Sequence, residues 1–312
     1  MHLYRGLNNC RVDGRGAAVA IGNFDGVHLG HQALVRAARE RAQATGAALA
    51  VLTFEPHPRE YLDPGAAPPR LMRVGEKCAA LAAAGVERLI VLRFDSRLQH
   101  LSPESFIDTV LRDGLGARHV VVGEGFRFGC RRAGTIESLR AAGAAAGFEV
   151  VAVPSVTLDG QRVSSTRVRT ALAAGDLDGA ARLLGRPYTL TGRVIAGERL
   201  GRQLGYATAN LRLHRRIAPL GGVFAVDVRG IDGRGAAAAV ASLGTRPTVG
   251  GGETLLEVHV FDFDGDLYGR RLAVDFVAKL RDEEKFASLD ALVAQMHADA
   301  ARAREILAAR AA

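Results

Sequence analysis

The sequence predicts an α/β domain built on a parallel sheet, followed by a small antiparallel β-barrel domain with a C-terminal helix. Three observations predict it. Up to about residue 185, apolar runs of strand length alternate with alanine-rich helical stretches. Continuous apolar strands between helices mean a parallel sheet covered on both faces. Beyond Arg186-Pro187 the texture changes to short strands separated by Gly-rich turns, with no helices between them, which suits a small barrel. Finally, 312 residues with 48% apolar content are long for one domain and ample for two cores. Domains over 1–185 and 186–312 follow.

The elements of the first half come in order. Stretches 17–21, 48–54, 87–94, 119–122 and 149–153 read as strands, and 33–45, 76–84, 103–112 and 136–145 as helices. Residues 167–185 read as two short helices leading to the boundary. In the second half, 188–194, 222–228, 236–243, 255–263 and 273–280 read as strands. The chain closes with a helix over 288–309, in which Leu289, Leu292, Val293, Met296, Ala300, Ala303, Ile306 and Leu307 form one stripe.

Composition removes several function classes. The formal charge of +8 comes almost wholly from arginine, and only Lys77, Lys279 and Lys285 are lysines. Those arginines are scattered, tryptophan is absent and aromatics make up 5%, so no base-stacking platform and no nucleic-acid partner is expected. Cys10, Cys78 and Cys130 are few and widely spaced, which suits a reduced compartment without a disulfide framework or zinc site. No apolar run approaches the roughly 18 residues of a membrane span, and the first ten residues hold no apolar signal core. No membrane association and a cytoplasmic location are expected. Oligomeric state is not legible.

The most informative stretch is Gly22-Asn23-Phe24-Asp25-Gly26-Val27-His28-Leu29-Gly30-His31. It joins an expected strand to an expected helix, the junction at which α/β sheets bind nucleotides. His28 and His31, three apart, can face one anion from a single helical turn. Nucleotidyl transfer needs such donors at the charge building on the α-phosphate and the departing pyrophosphate, not a protein nucleophile. Three more stretches lie where strands end: Thr53-Phe54-Glu55-Pro56-His57-Pro58, the loop 122–129 carrying Phe126 and Arg127, and Ser164-Ser165-Thr166-Arg167-Val168-Arg169. The last opens a helix whose hydroxyls and N–H groups can hold a phosphate, although such a run is more often an ordinary cap.

In the second half, Gly201 to Asn210 reads as a Gly-rich polar loop in which Thr208 and Asn210 can both offer oxygen to a magnesium ion bridging phosphates. No P-loop of the common type occurs. On the strand 255–263, Glu257 and His259 share a face opposite Val258 and Val260. Glu257 can act there as general base toward a hydroxyl, or be a polar residue on the wet side of a barrel; alternation alone leaves both open.

These motifs, in this order, resemble the bacterial bifunctional riboflavin kinase/FAD synthetase family over nearly the whole chain. The matching stretches are 22–31, 53–58, Phe126-Arg127-Phe128-Gly129, 164–169, Gly185-Arg186-Pro187-Tyr188 and 201–210. Gly244-Thr245-Arg246-Pro247-Thr248, Leu256-Glu257-Val258-His259, 264–269 and Leu280-Arg281-Asp282-Glu283 complete the pattern. The resemblance implies that the first domain is a nucleotidyltransferase, adenylylating FMN to FAD with ATP and releasing pyrophosphate. His28 and His31 would stabilise the phosphates, Asn23 would help shape the loop, and Ser164, Thr166 and Arg169 would hold the triphosphate. The second domain would phosphorylate riboflavin with ATP, with Thr208 and Asn210 at Mg2+ and ATP and Glu257 as base. Phe126 and Arg281 would contact flavin. Departures occur at Gly125, where the family usually has Asp or Asn, at Ala207 in place of a proline, and at Ser242, where Asn is common. Gly125 raises the alternative of a riboflavin kinase with an impaired adenylyltransferase half.

Overall fold

A computed structural model describes residues 1–10, 16–196, 206–215, 217–231, 235–245 and 254–311. They divide into two compact units, Met1–Pro68 with Met72–Ser164, and Pro69–Leu71 with Ser165–Ala312.

The first unit carries β1 (His2–Arg5), β2 (Ala17–Ile21), α1 (Leu29–Thr45), β3 (Ala48–Glu55), α2 (Pro58–Leu62), α3 (Val74–Ala83) and β4 (Arg88–Arg93). The short helices α4 (Ser96–Gln99) and α5 (Pro103–Phe106) follow, then β5 (Ala117–Gly123), α6 (Ile136–Ala146), β6 (Glu149–Val153) and a small hairpin, β7 (Thr157–Leu158) with β8 (Gln161–Arg162). The six main strands form one parallel sheet in the order β1-β4-β3-β2-β5-β6. Because strand side chains alternate, β2 serves two cores. Ala17, Val19 and Ile21 pack with Val110, Leu111 and Leu139 on one face, while Ala18 and Ala20 pack with Leu34, Val35, Ala38 and Leu81 on the other. Strand order runs one way from β2 to β4 and the other way from β5 to β6. The loops after β2 and β5 therefore flank the crevice where such sheets bind ligands.

The strands and helices expected of this half are present, and the structure adds β1, α2, α4 and the β7–β8 hairpin. The segment 103–112 is not one α-helix: α5 passes into a π-helix over Ile107–Gly114. Its apolar spacing buries Ile107, Val110 and Leu111, a pattern that does not distinguish the two hydrogen-bond registers. β1 was not expected, since four residues with mixed burial carry no clear period. His57 caps α2, its Nδ1 accepting the Arg59 N–H at 3.2 Å.

The second unit begins with α7 (Ser165–Ala173) and α8 (Leu177–Leu184), so its compact body starts earlier in the chain than the change in texture at Arg186. α8 packs on the barrel strands β9 (Tyr188–Ile195) and β14 (Arg271–Arg281). Between them lie β10 (Ala209–Arg212), β11 (Gly222–Arg229), β12 (Ala237–Thr245) and β13 (Thr254–Val260), and α9 (Leu289–Ala311) ends the chain. The strands close in the order β10-β13-β12-β11-β14-β9, with antiparallel pairing throughout. Leu211, Phe224, Val226, Leu256, Val258 and Phe276 are fully or nearly fully buried. α9 lays Ala300, Ala303 and Leu307 over a cluster that includes Ala225, Ala238, Val240 and Phe261. Leu289, expected on that stripe, is exposed in the first turn of the helix.

Two expectations change here. The polar loop expected up to Asn210 ends at Thr208, because Ala209 and Asn210 open β10. The strand expected over 255–263 stops at Val260, where Asp262 adopts a left-handed φ of 54° and turns the chain. Residues 201–205 of the expected loop, and the Arg246-Pro247-Thr248 part of the 244–248 motif, lie outside the described residues.

Candidate active sites

In the first unit the decapeptide 22–31 forms the loop between β2 and the first turn of α1. Its backbone is held in conformations that ordinary residues avoid: Phe24 has φ 49° and the β-branched Val27 has φ 45°. Such strain persists only where the surroundings over-determine it, and the restraints are visible. Phe24 is completely buried, the Met72 N–H donates to Asp25 Oδ1 at 3.0 Å, and Gln32 Nε2 donates to the Val27 carbonyl at 2.9 Å.

His28 is the N-cap of α1, its Nδ1 accepting the His31 N–H at 3.3 Å. With Nδ1 accepting, the neutral ring carries its proton on Nε2. The imidazoles of His28 and His31 stack with centroids 3.7 Å apart, and Phe24 lies 5.0 Å from His31. Gly30 permits this, since a Cβ there would sit 3.2 Å from the His28 ring. His31 Nδ1 is buried without a hydrogen-bond partner. Burial, with His28 and Lys77 beside it, pushes the His31 imidazole well below the ordinary histidine range, so the ring is neutral at pH 7. A stacked imidazole pair at a helix N-terminus can supply donors to phosphate oxygens.

Sequence reasoning missed Lys77. It is 3% exposed, and its ammonium donates to the Asn23 carbonyl at 2.7 Å and to Thr53 Oγ1 at 3.2 Å. Thr53 Oγ1 donates to the same carbonyl at 3.0 Å. The available signal was rarity, a lysine in a chain that otherwise uses arginine almost everywhere.

Across the switch point, Phe126 stacks on Phe128 with centroids 5.6 Å apart. Gly125 has room for a side chain, since a Cβ would meet only Arg162 Nη1 at 3.8 Å. Its neighbour Glu124 is turned to Ser155, whose N–H its Oε1 accepts at 3.2 Å. Ser164 ends the first unit, while Thr166 and Arg169 lie on α7 of the second. Arg169 Nε donates to the Pro69 carbonyl at 2.6 Å.

In the second unit the candidate residues come together through strand register. Glu257 on β13 stands directly opposite Asn210 on β10 and opposite Ser242 on β12. Along β13, Leu256, Val258 and Val260 are buried while Glu257 and His259 are half-buried on the other face, as the alternation predicts. A cavity of about 540 Å³ takes in Asn210 of this row but not Glu257 or Ser242; Thr208, His259, Asp264, Asp266 and Tyr268 are among its lining residues. Asn210 is 7% exposed and its Oδ1 is buried without a partner. A hard divalent cation takes oxygen ligands, and the orphaned Asn210 Oδ1 and the Thr208 hydroxyl, in a cavity that Asp264 and Asp266 also line, are donors of that kind.

His259 Nδ1 lies 2.9 Å from the Ala207 carbonyl. A carbonyl only accepts, so the ring donates and fixes the residue before Thr208. Arg281, expected at the flavin, is engaged in a two-pronged ion pair with the buried Asp299 of α9, Nη2 to Oδ2 at 2.8 Å and Nε to both oxygens at 3.0 and 3.1 Å. Ser242 Oγ lies 3.4 Å from Glu283 Oε1.

A tight loop carrying a stacked imidazole pair at the switch point of a parallel sheet, and a small closed barrel with a polar cavity at Asn210, fit a two-unit transferase. The FAD synthetase family model matches residues 11–167 and the riboflavin kinase family model matches residues 184–307. Among curated relatives, the bifunctional riboflavin kinase/FMN adenylyltransferase of Pseudomonas fluorescens is 52% identical over 99% of this chain and 98% of its own. The proteins of the same name from Haemophilus influenzae and Escherichia coli K12 are 45% and 42% identical, each over at least 97% of both chains. The crystal structure of the macrolide-efflux protein from Streptococcus pneumoniae matches with a TM-score of 0.81 and 34% identity over 95% of this chain and 97% of that one. Among the described residues no helix is long and apolar enough to cross a membrane. The chain belongs to the bifunctional riboflavin kinase/FMN adenylyltransferase family.

Proposed function

We propose that this chain phosphorylates riboflavin to FMN with one ATP in its second domain and adenylylates FMN to FAD with another ATP in its first, releasing pyrophosphate. The observation that supports this reading is the presence of both the stacked His28/His31 pair at the start of α1 and the Asn210–Glu257 row of the barrel. We take the functional boundary at residue 185, with domains 1–185 and 186–312; the family matches at 11–167 and 184–307 support that division. We take the cytoplasm as its location; three cysteines that form no disulfide with one another support that reading.

In the kinase half, Glu257 takes the proton from riboflavin's terminal ribityl hydroxyl as that oxygen attacks the γ-phosphate. Thr208 and Asn210 hold Mg2+, which when bound neutralises charge on the phosphates. His259 fixes the Ala207 carbonyl and so the entry of Thr208 into the site. The flavin also meets Arg281, which its ion pair with Asp299 holds in place.

The adenylyltransferase half needs no general base, because the FMN phosphate is already an anion at neutral pH. His28 and His31 donate to the phosphate oxygens as charge builds on the α-phosphate and the leaving pyrophosphate. Asn23 shapes the loop, Phe126 offers its ring to the flavin, and Ser164, Thr166 and Arg169 bind the triphosphate. Incubating the pure protein with riboflavin, ATP and Mg2+ and separating the flavins tests the whole reading. FMN and then FAD should accumulate. FMN alone would leave a riboflavin kinase, and neither product would refute the assignment.

A further inference from the structure

The loop 22–31 carries left-handed φ at two non-glycine residues, and a single carbonyl inside it, that of Asn23, collects hydrogen bonds from two side chains on different elements. One is Thr53 at the end of β3, and the other is Lys77 in the second turn of α3. Lys77 also reaches Thr53 Oγ1, so the three groups close a small triangle beneath the loop. Its charge acts on His31 together with that of His28. A buried ammonium is costly to place, and this one lies under the loop that aims the imidazole pair.

We propose that Lys77 is a positioning residue for adenylyl transfer: its ammonium pins the Asn23 carbonyl, holds the strained loop in shape, and sets a fixed positive charge beneath the stacked histidines where phosphate charge gathers. This rests on reading the first domain as the adenylyltransferase. Lys77 does not touch substrate; it acts through Asn23 and His31. The groups facing His31 are His28 and Phe24 from its own loop and Lys77 from α3.

Three substitutions in the full-length protein separate the contributions. Lys77→Met removes donor and charge, Lys77→Gln keeps a donor without charge, and Lys77→Arg keeps both. FMN adenylylation should fall about 10- to 100-fold in Lys77→Met, mainly in kcat. Lys77→Gln should lie between Met and wild type, and Lys77→Arg nearest wild type. Riboflavin phosphorylation by the same samples should stay within twofold. In the ligand-free protein the His31 imidazole, followed by NMR, should titrate at higher pH in Lys77→Met than in wild type, because a neighbouring cation has gone. If Lys77→Met fails to fold, Thr53→Val carries the test: it leaves the lysine and its charge but removes one leg of the triangle, and should cost a few-fold in kcat with the His31 titration unmoved. Equal losses in all three lysine variants with an unmoved His31 titration would overturn the proposal in favour of simple packing, as would wild-type kcat in Lys77→Met or in Thr53→Val. Wild-type protein that makes no FAD from FMN would instead overturn the adenylyltransferase reading itself.

Discussion

The two candidate sites are built by different means. The histidine site is a single contiguous decapeptide, folded tightly at a strand-to-helix junction and held by buried side chains from elsewhere in its unit. The Glu257 site has no contiguous motif of that kind. It arises where three strands of a closed barrel bring Asn210, Glu257 and Ser242 into one row. The first stores its geometry in a strained backbone, with Phe24 and Val27 left-handed. The second stores its geometry in register, where a one-residue slip would move Glu257 to the opposite face. A loop site therefore depends on its supports, and a strand site on the integrity of its sheet.

The contrast is sharpest where one activity is removed without the other. Glu257→Gln keeps shape and hydrogen bonding but loses the base, so riboflavin phosphorylation should drop by about 10²- to 10⁴-fold. Adenylylation of supplied FMN should persist, which a coupled flavin assay on the same preparation will read. Replacing His28 and His31 together with Ala should lower FAD formation by about 100-fold or more, with FMN formation within a few-fold. Unchanged FAD synthesis in that double variant would remove the histidines from the chemistry.

That same contrast explains what was legible in the sequence. The histidine loop was readable because glycines, an asparagine and two imidazoles sit together between an apolar run and an amphipathic helix. Glu257 and His259 were readable as a shared face, but not as a site, since nothing in the alternation names the strand opposite. β10 escaped notice because Ala209-Asn210-Leu211-Arg212 offers only two apolar residues of alternation after a glycine-rich stretch. Without β10, the meeting of Asn210 with Glu257 could not be foreseen. Lys77 was hidden for another reason: on a helix a lysine ordinarily reads as solvent-facing, and only tertiary packing shows that it points beneath the loop. The resemblance supplied roles that neither spacing nor period could.

Smaller effects probe the supports. His259→Phe keeps a ring beside Tyr206, 4.8 Å away, but removes the donor to the Ala207 carbonyl. One hydrogen bond is worth about 1–1.5 kcal/mol, so the kinase should lose about tenfold, chiefly as a raised KM for ATP. FAD formation from FMN should not move, and a loss there would show that the barrel's loops matter beyond their own unit. Gly125→Asp should have the smallest effect. The site has space, and the new carboxylate would stand near Arg162, so adenylylation should improve by a few-fold or less in apparent FMN affinity with kinase activity unchanged. No improvement would mark Gly125 as a tolerated variation.

The central claim is that two complete and separate sites act in sequence on one flavin. Mixing Glu257→Gln protein with the His28→Ala/His31→Ala double variant, and supplying riboflavin, ATP and Mg2+, tests it most directly. Each variant alone should make almost no FAD from riboflavin, the first for want of FMN and the second for want of adenylylation. Together they should restore FAD, because FMN made by one protein is consumed by the other. A mixture that accumulates FMN without FAD, or makes neither, would contradict the account.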